Sequence, residues 1–157
     1  MAKQRSRRMH RSRALCRHFN QTLFVGCARA GLTALEAAHK PAITGGALIA
    51  CGVALDRCRQ SAEPNAERWD YLFTHRDSDS AFAIEVHHAD PSEVPRMIAK
   101  KQWAASLLRA HCPDLTVDWY WVASLPAGNI FLLPQHPAAR RLAEAGIRFP
   151  VRSCALP

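Results

Sequence analysis

A chain of 157 residues, 48% of them hydrophobic, can close one core without metal or disulfide staples. Its longest apolar run, residues 45–55, is about half of the ~20 residues a membrane-spanning helix needs, so no membrane partner is expected. The net charge of +8 is unevenly placed: Lys3, Arg5, Arg7, Arg8, Arg11, Arg13, Arg17 and Arg29 all precede the first acid, Glu36, and beyond them bases and acids balance.

In chain order, residues 1–20 read as a basic arm ahead of a single α/β domain over 21–157. Such an arm attracts polyanions over about one Debye length, ~8 Å at physiological salt, and each phosphate it neutralises releases counterions. Lys3, Arg5, Arg7, Arg8, Arg11 and Arg13 are therefore the candidate nucleic-acid contacts, to DNA or to RNA; a solvated tail would have the same composition. Arg17 and Arg29 interrupt what would be the apolar region of a signal peptide. The six cysteines contain no C-x-x-C pair, which points to free thiols and a cytoplasmic location.

A helix is expected over 22–39, stopped by Lys40-Pro41, and a short buried strand over 47–56 after the Gly45-Gly46 break. Residues 68–74 and 81–88 are β-favouring, and the polar run 75–80 between them makes a hairpin. Asp90-Pro91-Ser92-Glu93 then announces a helix to about residue 110, with an N-cap, a first-turn proline and an acid. A strand over 117–124, a turn at 126–129, a returning strand at 129–133 and a helix over 137–145 closed by Gly146 complete the chain. The order αβββαβ, plus an appended strand and helix, implies a mixed central sheet flanked by helices.

Side chains alternate along a strand, so Glu85 and His87 share one face, and pairing across the hairpin brings Asp70 alongside them. On the following helix Val94, Met97, Ile98, Ala104, Ala105 and Leu108 form an apolar stripe with Lys101 at its centre. An inward ammonium is costly unless it meets carboxylates or its stem snorkels out, and Asp70 and Glu85 are the candidates to meet it. Two acids beside a Lys and a His would suit a hard cation, Mg²⁺ or Mn²⁺, with Lys101 or His87 handling its water. Without ligand chemistry, Asp70 would pair with Arg68 or Arg76, and Trp119 and Trp121 would pack a core. No G-x-S-x-G elbow is present.

These elements and acids resemble the PD-(D/E)XK phosphodiesterase superfamily over residues 22–124. Its pattern places an acid at the opening of the second core strand, an acid-x-lysine on the third and often an acid on the first helix. Asp70, Glu85-Val86-His87 and Glu36 match those positions, with Asp56 as a substitute for Glu36. His87 stands where the family has lysine; some members take the lysine from the next helix, an arrangement similar to Lys101 here, and others have lost catalysis. The resemblance implies a metal-dependent nuclease with Asp70 and Glu85, and the Val86 carbonyl, as ligands. The alternative is a catalytically inactive nucleic-acid-binding or protein-interaction module; either reading is compatible with a homo-oligomer.

Overall fold

The computed structural model describes residues 13–124 and 128–157. Lys3, Arg5, Arg7, Arg8 and Arg11 of the arm, and the centre of the turn expected at 126–129, lie outside the described residues.

Residues 13–18 form α1, which runs into a π-turn at Phe19–Leu23. Strands β1 (Arg29–Ala30), β2 (Ile43–Gly45) and β3 (Ile49–Ala54) follow, then the short α2 (Leu55–Arg59). The hairpin β4 (Tyr71–His75) and β5 (Ser80–His87) leads into α3 (Val94–His111), β6 (Thr116–Ala123), α4 (Pro137–Glu144) and β7 (Cys154–Leu156). Five strands build one sheet in the order β1-β3-β4-β5-β6, antiparallel except for the parallel β5–β6 pair. The α3 crossover makes that pairing parallel, because two strands running the same way cannot be joined by a tight turn. The α/β class with a mixed central sheet is as expected.

Alternation sorts the sheet into two faces. Leu72, Ala81, Ala83, Trp119 and Trp121 pack with Phe19 of the π-turn, Met97 and Leu108 of α3, and Leu142 of α4. Tyr71, Phe73, Ile84, Val86 and Val122 point the other way and are covered by Leu35, Ile43, Cys154 and Leu156. That second cover includes a small parallel sheet of β2 and β7. Its close approach requires glycine at position 45, where φ is +76° and a Cβ would lie 2.1 Å from the Leu156 carbonyl oxygen. Before α3, the Asp90 side chain accepts from the Ser92 N–H at 2.9 Å and Pro91 opens a 3-10 turn, as the sequence announces.

Several elements differ from expectation. The helix over 22–39 is replaced by the end of the π-turn, β1 and a series of turns, with Gly26 and Gly31 at positive φ in conformations a helix does not contain. The strand expected over 47–56 ends at Ala54, where the chain turns into α2. The returning strand at 129–133 reduces to one isolated bridge between Ala89 and Ile130. Four of the six cysteines are not free thiols: Cys16 is bonded to Cys51 and Cys27 to Cys58, leaving Cys112 and Cys154 free. Among the described residues no helix is long and apolar enough to cross a membrane.

Candidate active site beneath the crossover helix

Asp70 immediately precedes β4, and Glu85 lies on β5 one register step beyond the Tyr71–Ile84 pair. The two acids therefore meet across the hairpin, each binding the other's strand. The Asp70 N–H donates to Glu85 Oε2 at 2.9 Å, and the Val86 N–H donates to Asp70 Oδ2 at 3.0 Å. Glu85 has the parity of Ala81 and Ala83, so it faces the α3 layer, where it is fully buried. A carboxylate in that position needs a countercharge, and Lys100 of α3 supplies it by donating to Glu85 Oε1.

This corrects the expectation for Lys101. The buried residues of α3 are Val94, Met97, Lys100, Ala104 and Leu108, so the inward seam passes through Lys100. Each residue turns the helix by about 100°, which takes Lys101 away from the acids. Its ammonium donates to the Ala145 carbonyl at the end of α4 and lies 5.3 Å from the Trp119 ring centroid. Two adjacent lysines thus have different tasks. The signal that separates them is spacing: Val94, Met97 and Lys100 fall three apart, whereas Ile98 and Ala105, which drew the stripe towards Lys101, are only partly buried.

His87 also leaves the expected constellation. It shares strand parity with Glu85, but its Nε2 bonds Glu93 at 2.7 Å, at the entrance to α3. Glu36 pairs with Arg57 at 3.0 Å and Asp56 with Arg68 at 2.8 Å, so neither joins the acid pair. The expected partner Arg68 is therefore taken by Asp56 rather than by Asp70. A neighbour missed from sequence is Tyr71, whose hydroxyl lies 2.7 Å from His39 Nδ1 on the other face of β4.

Burial and the charge of Asp70 push the Glu85 carboxyl up to about 8, against the pull of Lys100. Burial also raises Asp70, opposed by the Val86 N–H and by Lys100. Both shifts have one leading origin, burial in a poorly hydrated layer, and the shared ammonium only moderates them. Asp70 differs in being only partly buried, and its Oδ1 has no protein hydrogen-bond partner among the described residues. It is the open side of the cluster.

With both acids ionised and Lys100 protonated, the cluster carries one net negative charge. Oxygen donors of this kind fit a hard cation, which commonly takes only one or two protein carboxylates and completes its shell with water and phosphate. Among the described residues no group of three or more His, Cys, Asp or Glu side chains is arranged to hold a metal. Comparison of the chain with protein-family models, curated proteins and solved structures finds no match in any of the three.

Proposed function

We propose that this chain is a nucleic-acid-binding protein of PD-(D/E)XK type that hydrolyses phosphodiesters with a bound Mg²⁺ or Mn²⁺. The observation that carries the reading is the junction of Asp70, Glu85 and Lys100, with an open oxygen on Asp70. A divalent cation held there would polarise a phosphoryl oxygen and lower the pKa of its own water. Asp70 presents the accessible ligand and Glu85 the enclosed one, with the Val86 carbonyl as a further ligand. Lys100, rather than Lys101 or His87, is the cation that would face a phosphate oxygen or orient water, and its contact with Glu85 supports that role.

Full-length protein incubated with single-stranded DNA, duplex DNA and RNA in Mg²⁺ or Mn²⁺ tests this. Asp70→Asn and Glu85→Gln are expected to abolish cleavage, and Lys100→Met to slow it by about 100-fold or more, while Lys101→Met retains it. Cleavage that survives both acid substitutions removes this site.

A second reading, an inactive binding module of the same architecture, is favoured by one observation: Glu85 is fully enclosed and both its oxygens are already engaged. It predicts salt-sensitive nucleic-acid binding with no Mn²⁺ uptake by calorimetry. A cytoplasmic location was the sequence expectation, but the two disulfides fit an oxidising compartment better.

A further inference from the structure

The first helix and the edge strand β1 flank an open, shallow groove of about 460 Å³ whose charged lining is entirely basic: Arg13, Arg17 and Arg29, with the amides of Asn20 and Gln21 beside them. No carboxylate lines it, and neither Arg13 nor Arg17 forms an ion pair among the described residues. Arg13 and Arg17 stand four apart on α1, a rise of about 6 Å, which is the scale of successive phosphates along an extended strand. Like charges at that spacing repel and weaken an isolated helix, so an anion between them relieves a cost built into the fold.

The third cation is held in place. Arg29 Nη1 donates to the carbonyls of Gly26 and Ala28 at 2.8 and 3.0 Å, orienting its guanidinium without neutralising it. Cys16, between Arg13 and Arg17, is bonded to Cys51 of β3, so the disulfide fixes the helical pair against the sheet and contributes to the groove wall.

The groove also has a defined relation to the acid cluster. Cys51 pairs with Thr74 on β4, and Asp70 lies four residues back along the same chain, about 13 Å at ~3.3 Å per residue. We infer that this groove is a docking track for a nucleic-acid phosphodiester backbone, leading from the basic N-terminal segment towards the Asp70 end of the sheet. The inference rests on nucleic acid being the partner, and does not require cleavage. Guanidinium groups spaced along one helix with amide donors beside them suit successive phosphates of a strand.

The test is fluorescence anisotropy with a fluorescein-labelled single-stranded oligonucleotide and its duplex, in EDTA so that no cleavage occurs, using the full chain. R13Q/R17Q removes two exposed charges that make no ion pair among the described residues, and R109Q/R152Q removes the same charge from exposed positions elsewhere. Circular dichroism melts check that both pairs remain folded. The groove predicts that R13Q/R17Q weakens binding about tenfold relative to R109Q/R152Q and lowers the slope of log K against log salt by about 1.4 for a single strand.

Binding by R13Q/R17Q within about twofold of R109Q/R152Q overturns the proposal. So does a wild-type chain that binds neither probe, or one in which the pair matters only for phosphatidylserine vesicles. Cleavage with unaltered R13Q/R17Q binding would sink the groove alone, and groove-dependent binding without cleavage would sink the catalytic reading alone.

Discussion

Glu85 touches one ammonium, that of Lys100, but its burial and the neighbouring Asp70 govern how the core responds to pH. Its carboxyl is raised from 4.5 to about 8, so the folded protein prefers the neutral form. The stability this contributes is complete below the unfolded value, falls as pH rises from about 4.5, and is gone above about 8. Urea midpoints should therefore decline over that interval in the wild type, and Glu85→Gln should flatten the decline. Lys100→Met strands a buried charge and should cost about 3 kcal/mol at alkaline pH, less in acid, where the carboxyl takes a proton. The double variant Glu85→Gln/Lys100→Met should recover much of that loss, and an additive cycle would show that the two groups are uncoupled. Lys101→Met should cost about 1 kcal/mol near neutral pH, because it removes a helix-end hydrogen bond and a ring contact. From sequence, the need for an inward lysine was legible because an ammonium in an apolar stripe demands acids. Which of two neighbours turned inward was not, since that depends on how the helix settles on the sheet.

The hairpin, the crossover helix and β6 were legible as elements because local chemistry and tertiary demand agree in them. Asp90 caps and Pro91 opens the turn before α3, and Tyr71, Phe73, Thr74, Ile84 and Val86 put aromatic or β-branched residues at buried positions of β4 and β5. The expected helix over 22–39 failed for the opposite reason: its Ala- and Leu-rich composition favours helix, but positive-φ glycines and the Cys27–Cys58 bond impose turns on it. The β2–β7 sheet had no local signal, since it joins segments more than a hundred residues apart. Its dependence on one glycine is open to test. Gly45→Ala would drive a methyl group into the Leu156 carbonyl at a positive φ, and should cost at least about 1–3 kcal/mol. Hydrogen exchange would locate the damage: the Gly46 and Leu48 amides, which donate to Leu156 and Pro157 at 3.1 and 3.0 Å, should lose protection while the β4–β5 ladder keeps it. Uniform loss across both would mean that the small sheet is not a separable unit.

At the scale of the whole molecule, both disulfides perform one task, fastening the segment before β1 to the rest of the chain. Cys16 ties α1 to β3, and Cys27 ties the following turn to Cys58 near the end of α2. Spacing alone could not reveal this, because six cysteines without a paired motif allow many connectivities as well as none. The bonds span 35 and 31 residues, and by the chain-entropy model each removes enough freedom from the unfolded chain to contribute about 3 to 4 kcal/mol. A thiol count distinguishes this arrangement from six free cysteines before any stability is measured. Denatured but unreduced protein should take up iodoacetamide at Cys112 and Cys154 only, and at all six positions after treatment with a dithiol. Reduction should then lower the urea midpoint while the chain loosens first around Phe19, Leu23 and Phe24, whose burial brings that segment into the core beneath α3. Six alkylated cysteines without reductant, or an unchanged midpoint after complete reduction, would refute the fastening. The charge groove bears on the same test, since Arg13 and Arg17 keep their place opposite Arg29 only while α1 stays pinned to the sheet.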